Sequence, residues 1–391
     1  MSLSTTGGVR LRVGFVFTVF AVYGTLWGTY LASIPDILVA SAASTGQLTA
    51  VMAAGAVASI PAMFAVGRFV DRRGPRIAVG AVAMFAIIAP LPMFADSVPS
   101  LFVTVTLFGF GSGACNVSAL TLASAVEREN AHPLMSRAHA VFSLAVVGAS
   151  LATGAARLAD LSVRYPALLV AVAVVAGLFA ARGTLPAGPA ERPAVSTPPP
   201  RRPVRPIIAC WLVCGLTMLI ASGVQYWSAV YLTEVASASP ALSGAAPGLF
   251  AASMMAGRLG GHWLTCRTTE RVVLLVSGTL SALGALLLAL TTEVPYALLA
   301  FVVVGGAISI ATPTVYGLIG RHVSTEERGT AISRTASASC AGELLGPALL
   351  GFLASQAGFP LAMASMCVVA AMVCLVAFGV PAGQRFAERT P

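Results

Sequence analysis

The sequence predicts an all-α membrane protein with twelve transmembrane helices in two pseudo-symmetric six-helix bundles. Three observations carry that prediction. Apolar residues make up 57% of the chain and charged residues 9%, a composition that would leave large exposed apolar patches on any water-soluble globule. Twelve apolar runs approach the ~20 residues of helix that cross a hydrocarbon core of about 30 Å. A composition break near the middle of the chain leaves six runs on each side.

The runs, spans 1 to 12 below, cover approximately 12–38, 47–67, 77–95, 100–126, 134–157, 164–182, 206–233, 244–264, 271–291, 295–319, 329–355 and 360–380. They are continuous and rich in Ala, Leu, Val and Gly, without the period of two that barrel strands require, so they are helices. The first 33 residues superficially resemble a signal peptide, with Arg10 and Arg12 before an apolar run that ends near Ala32-Ser33. That run is too long for a secretory h-region, and its removal would leave an odd number of spans, so it reads as an uncleaved first helix. Between spans 6 and 7, residues 183–205 carry Pro186, Pro189, Pro193, Pro198, Pro199, Pro200, Pro203 and the pair Arg201-Arg202. With little there to bury, the stretch reads as an extended linker. The expected organisation is an N-terminal bundle over 1–182, a cytoplasmic linker over 183–205 and a C-terminal bundle over 206–391.

Orientation follows from the basic residues, because short cytoplasmic loops collect them. All 23 are arginine. Placing both termini in the cytoplasm puts every one on that side except Arg157 and Arg164. Asp36, Asp96, Asp160, Glu234 and Glu293 then fall at outer helix ends, so the formal charge of +9 is a property of the inner face. Attraction to anionic membrane lipid accounts for it, and no nucleic-acid partner is implied. The seven cysteines form no C-x-x-C pair and read as small buried hydrophobes.

The stretch from Gly67 to Arg76, Gly-Arg-Phe-Val-Asp-Arg-Arg-Gly-Pro-Arg, holds five charges in ten residues between two apolar runs. Read as G-x-x-x-D-R-R-G-x-R, it resembles the loop between helices 2 and 3 of the major facilitator superfamily of secondary transporters. The resemblance implies the fold of that superfamily, and it extends over the chain through span count, central linker and a weak internal repeat. Gly67-Arg68 is echoed by Gly257-Arg258 after 190 residues, Ser136-Arg137 by Ser333-Arg334 after 197, and Gly154 by Gly351 at the same shift. The second copy lacks the acid, with Gly261 or its neighbours expected where Asp71 stands in the first. The resemblance further implies a conformational latch. Gly67 and Gly74 permit a tight turn, the Asp71 carboxylate faces the start of span 11 near Arg334, and Arg72 or Arg76 pairs with Glu127 at the inner end of span 4. A purely topological role for these charges is the alternative.

Ionisable groups at bilayer depth are costly and default to functional candidates. Glu343 lies about fourteen residues into span 11, roughly 21 Å from its inner end. Two readings stand: a proton carrier, or a protonated Glu hydrogen-bonded between helices. His139, about six residues into span 5, suits proton coupling or gating, with an interfacial structural role as the other reading. Asn116, near the middle of span 4, can bond substrate or a neighbouring helix. Tyr23, Trp27 and Tyr30 form a stripe on span 1, and span 7 supplies Gln225, Tyr226 and Trp227. Trp27 and Gln225 are the cavity-lining candidates, against packing or an interfacial belt. Pro313 is expected to kink span 10 as a gate, with Gly305-Gly306 as a second weak point.

Residues 125–143 also resemble a branch of bacterial inner-membrane permeases distantly related to fucose permease. Those proteins tend to carry an acid where Asn116 stands and Trp where Phe142 stands, so their substrate does not carry over. No His/Cys ligand set, nucleophile with a base, or G-x-x-x-x-G-K-[ST] loop is present in the sequence, which argues against an enzyme, a bound metal or cofactor, and ATP-driven pumping. The expectation is a monomeric permease of the bacterial inner membrane. It would move a small-molecule substrate by alternating access with the proton as coupling ion, as an exporter of metabolites or drugs or as a sugar-like permease. A non-transporting sensor or scaffold on the same fold is the alternative.

Overall fold

The computed structural model describes residues 3–73, 76–130, 134–162, 164–181, 205–322 and 325–380. Gly74 and residues 183–204 of the expected linker lie outside them, as do the side chains of Asp71, Arg72, Arg76 and Glu127. The described residues contain no strand. They form α1 (Leu3–Ser41), α2 (Thr45–Arg73), α3 (Arg76–Ile88), a 3₁₀ turn (Leu91–Phe94), α4 (Val98–Asn130), α5 (Met135–Leu158), α6 (Arg164–Ala181), α7 (Arg205–Glu234), α8 (Pro240–Arg267), α9 (Glu270–Leu290), α10 (Val294–Ile308), α11 (Ala311–His322) and α12 (Thr325–Ala377).

Helices and expected spans do not match one to one. Span 3 is α3 continued by the 3₁₀ turn, span 10 is divided between α10 and α11, and spans 11 and 12 share α12, whose backbone leaves helical values at Gly358, φ 81°. A positive φ is open to glycine, and Pro360 two residues later withholds an N–H, so the change of direction is written locally. Among the described residues, eight helical segments are both long and apolar enough to cross a membrane. The break in span 10 lies at Ser309-Ile310, four residues before Pro313. The proline ring would clash with the Ser309 carbonyl in a continuous helix. By restarting at Ala311 the chain places Pro313 in a first turn, where its missing N–H costs nothing. Gly305-Gly306 stays within or next to regular helix.

The described chain forms two compact units. One comprises α1–α6 with Ser239–Gly248 of α8; the other comprises α7, the rest of α8 and α9–α12. In each, helices meet backbone to backbone at small residues, the way helices associate where apolar burial gives no advantage over lipid. In the first unit a Cβ on Gly28 of α1 would sit 2.6 Å from the Val146 carbonyl of α5, and one on Gly113 of α4 would sit 2.5 Å from the Ser59 carbonyl of α2. In the second, a Cβ on Gly346 of α12 would lie 2.9 Å from the Gly223 nitrogen of α7, and one on Gly257 of α8 would lie 2.7 Å from the Gly306 Cα.

The internal repeat is visible in these details. α1 is followed by Ala42 in the left-handed region (φ 50°) and α7 by Ser237 (φ 48°), 195 positions on. Two residues later Ser44 and Ser239 cap α2 and α8, their hydroxyls accepting the Gln47 and Leu242 N–H at 3.2 and 3.5 Å. At Ser44 the Gln47 carboxamide returns the bond to the Ser44 N–H, a capping box. Val98-Pro99 opens α4 and Val294-Pro295 opens α10. This register corrects one expectation. α2 and α8 end at Arg73 and Arg267; Gly67 lies under Val117 of α4, and Gly261 lies correspondingly against Ile310 in the second unit. Gly261 therefore matches Gly67, Thr265 matches Asp71, and the Gly67/Gly257 echo is out of register.

Candidate functional site

In the first unit the α1 stripe turns into an aromatic cluster. Gly24 and Gly28 let α1 lie directly on α5, and the neighbouring face then directs Tyr23, Trp27 and Tyr30 toward α3, α4 and α5. Tyr30 is 2% exposed and stacks on Phe108 with ring centroids 4.3 Å apart, so it belongs to the core. Trp27 is half-buried, edge-on to Phe108 at 5.1 Å and to Tyr30 at 5.9 Å. Tyr23 meets Phe142 of α5 at 5.2 Å and Phe85 of α3 at 5.6 Å, and its hydroxyl shares a hydrogen bond with Ser112 Oγ of α4 at 3.0 Å. Asn116, half-buried, follows Ser112 by one turn of α4. His139, exposed, precedes Phe142 by one turn of α5 and lies edge-on to Phe20 at 5.3 Å, while its carbonyl accepts the Ser143 hydroxyl at 3.1 Å. Trp27 thus meets α4 at Phe108, one turn before Ser112, which Tyr23 engages, and His139 lies one turn along α5 from Phe142 of the same cluster. Sequence reasoning missed Ser112, whose run Gly-Phe-Gly-Ser-Gly reads as small-residue packing, and Phe85 and Phe108, which are indistinguishable there from lipid-facing phenylalanines.

The second unit offers different chemistry. Gly342 and Gly346 press α12 onto α7, and the Ser222 hydroxyl reaches the Gly342 carbonyl at 3.4 Å. Glu343, one residue round the helix from Gly342, has an exposed side chain. Cys340, also exposed, lies one turn away. Gln225 of α7 is half-buried. Trp227 is core: it is 0% exposed and donates Nε1–H to the Pro347 carbonyl at 2.9 Å. Tyr231, one turn on, closes its hydroxyl on the Leu288 and Thr291 carbonyls at 2.6 and 2.9 Å. Pro313 is exposed on the first turn of α11. The Arg334 guanidinium rests over the Trp211 ring at 5.4 Å, a cation–π contact that presents its charge near the start of α12.

Outside the apolar segments, Asp96 and Ser100 organise the start of α4. The Ser100 hydroxyl accepts the Asp96 and Ser97 N–H at 3.2 and 3.1 Å, and the Ser97 and Ser100 hydroxyls bond the Asp96 carboxylate at 3.2 and 3.1 Å. These bonds, the Ser100 hydroxyl first, hold its carboxyl below the ordinary range. No group of three or more His, Cys, Asp or Glu is placed to hold a metal ion among the described residues.

Against known proteins, the family model described as Major Facilitator Superfamily matches residues 16–270 and 266–389. A relative from Sinorhizobium fredii, the uncharacterized transporter y4wD, is 30% identical over 381 residues, which is 92% of this chain and 95% of that protein. Among solved structures, the nucleoside transporter NupG superposes with a TM-score of 0.75 at 13% identity, covering 94% of this chain and 99% of that one. A bacterial homolog of the human lysosomal transporter Spinster, inward-facing and occupied, gives 0.72 at 16%, covering 94% and 95%. At those identities the two structures show a shared fold.

Proposed function

The chain belongs to the major facilitator superfamily and is a multi-pass membrane transporter, and from that premise we propose that it is a proton-coupled secondary transporter of a small organic solute. The observation that carries the proposal is Glu343, a carboxylate with an exposed side chain inside an apolar segment, Arg334–Ala377. A carboxylate facing hydrocarbon costs about 2.5–3.5 kcal/mol at mid-membrane. That cost favours a path for water and protons at Glu343 over a lipid-facing one. With no basic partner among the described residues, Glu343 can take up and release a proton as its surroundings change.

Substrate contact is assigned to Trp27 and Asn116, with Ser112 and Tyr23 beside them, and to Gln225. Half-buried aromatic faces with a few hydrogen-bonding groups suit a neutral or amphiphilic solute, in either the exporting or the sugar-like importing sense. His139 is a second proton candidate, and the charges at 67–76 with Glu127 and Arg334 form the proposed latch of the alternating-access cycle. The same proposal keeps the protein monomeric, in contact with membrane lipid and without nucleic acid or cofactor. It lies in the bacterial plasma membrane with both termini cytoplasmic, and Pro313 marks the gate.

The test is proton flux in proteoliposomes carrying wild type or Glu343→Gln, screened with sugars, organic acids and amphiphilic drugs. Substrate-evoked pH change that is lost in the variant supports the reading and fixes direction. Substrate movement without proton flux, or full activity of Glu343→Gln, refutes the coupling.

A further inference from the structure

We propose that the first unit carries a second ligand site, apart from the aromatic cluster, that receives the oxyanion of a small organic acid on Arg157. The site is a cavity of about 420 Å³ at the end of the unit where α1 and α5 finish and α6 and α8 begin, lined in part by Ser33, Asp36, Arg157, Asp160, Arg164 and Pro240. Its volume lies within the range of small-molecule pockets, about 300–1,000 Å³. In the orientation proposed above it opens to the outside.

Arg157 explains why the cavity is a receptor. Its side chain is 9% exposed, yet only Nε is engaged, on Asp36 Oδ2 at 3.1 Å. Nη1 is buried without a partner, and so is Ser33 Oγ on the wall of the same cavity. A buried guanidinium N–H left unsatisfied is costly, and the planar fork of arginine fits two oxygens of one oxyanion. The ion pair to Asp36 ties α1 to α5 through Nε alone, and it leaves two unsatisfied groups, Nη1 and Ser33 Oγ, together at the same cavity. Arg164, over the Phe94 ring at 5.7 Å, brings a second positive charge to the lining.

Two acids in the same lining set the selectivity. Asp36, 40% exposed, and Asp160 balance the two arginines, so the lining has no excess positive charge to compensate the second charge of a dianion, while the open Nη1 of Arg157 can receive one oxyanion. Asp160 is fixed there by the end of α5. It takes a left-handed conformation, φ 51°, while the next N–H, Leu161, returns to the Ala156 carbonyl at 2.9 Å. This is the Schellman closure of a helix, with Asp in place of the usual glycine. The occupant is therefore a monocarboxylate or a comparable monoanion.

The probe is 4-fluorobenzoate, with 4-fluorobenzamide as neutral isostere, followed by ¹⁹F NMR line broadening on purified full-length protein in maltoside detergent. The carboxylate is expected to broaden and the amide not. Arg157→Lys keeps a charge for Asp36 but loses the fork, and weakens the carboxylate by about tenfold or more. Ser33→Ala, which leaves the ion pair intact, weakens it by about threefold or more. Asn116→Ala, on α4 away from this cavity, retains carboxylate binding. Displacement of the probe by added phosphatidylglycerol identifies the natural oxyanion as a lipid headgroup; persistence identifies it as a soluble acid, and both keep Arg157 as receptor. Equal binding of the amide, wild-type binding by Ser33→Ala and a folded Arg157→Lys, or loss of binding in Asn116→Ala each overturns the proposal.

Discussion

The backbone contact between α1 and α5 makes a graded prediction for three glycines. Ordinary contact begins near 3.4 Å, and a Cβ on Gly28 would meet the Val146 carbonyl at 2.6 Å, so Gly28→Ala forces these helices apart by about 0.8 Å. Gly223 holds the matching position in α7. Its Cβ would meet the Gly346 carbonyl at 3.1 Å, a displacement of about 0.3 Å. Gly148, exposed on α5, has nothing within 4 Å. Overpacking a tight contact costs about 1–3 kcal/mol, and each substitution recovers about 0.5–1 kcal/mol of helix preference for alanine. Gly28→Ala should therefore destabilise by ~1–2 kcal/mol, Gly223→Ala should be nearly neutral, and Gly148→Ala should stabilise by ~0.5–1 kcal/mol. The buried thiols of Cys115, Cys210 and Cys214 report unfolding to a thiol-reactive dye. Because unfolding of such a protein is expected to be irreversible, the readout is half-life at a fixed temperature. A Gly28→Ala half-life equal to wild type, or a Gly148→Ala half-life shortened as much as that of Gly28→Ala, would refute the reasoning.

Three further outcomes are expected. Trp227→Phe removes the bond to the Pro347 carbonyl and leaves a void, costing about 2 kcal/mol or more in the same dye assay without altering membrane insertion. Asp96 has a lowered folded value, so its contribution is fully present above the ordinary carboxylate value of ~3.9 and is lost as pH falls through the lowered one. Stability scans from neutral to strongly acid pH should show a shallower acid loss for Asp96→Asn than for wild type. Asp71→Asn should insert normally yet transport slowly; an unchanged rate in proteoliposomes at equal protein would remove the latch.

Much of the fold was legible because its signals are collective. Runs of apolar residues long enough for a bilayer, the arginine distribution and a proline-rich midpoint each sum over many positions, and the family match agrees with the helical membrane fold that the apolar runs imply. Single-residue geometry was harder to read. Pro313 marks a break in span 10, but the chain moves that break four residues upstream so that the proline falls in a first turn. Gly67 and Gly257 share the dipeptide Gly-Arg, whereas spatial register follows helix ends and the side chains beneath, Val117 and Ile310. The better marker was quieter: Val98-Pro99 against Val294-Pro295, and the serines at 44 and 239. Within the candidate site, Trp27 and Trp227 look alike as sequence. Burial and one hydrogen bond separate them, and neither can be read from a stripe of aromatics. Arg157 was read only as a stray positive charge, because nothing in its own neighbourhood shows that Asp36 engages one nitrogen and leaves another orphaned.

The repeat also bears on where function resides. In the register set by Ala42 and Ser237, Gly28 matches Gly223, Trp27 matches Ser222 and Tyr30 matches Gln225. The glycine is kept, and both copies use it to lay a helix on its neighbour's backbone. The flanking side chains differ. Trp27 is half-buried among aromatics while Ser222 bonds the Gly342 carbonyl; Tyr30 is locked on Phe108 while Gln225 is half-buried and polar. A backbone contact at glycine sets helix position without demanding any particular side chain one or two residues away, so those positions are free to diverge. The two units can keep the same scaffold while one carries the aromatic cluster around Trp27 and the other carries Gln225 and the Glu343 carboxylate. The proposed substrate contacts, Trp27 on one copy and Gln225 on the other, are distinct from the proposed proton group Glu343, and Trp27→Ala and Glu343→Gln should separate the two roles: the first raising the substrate concentration needed for transport, the second uncoupling it from protons.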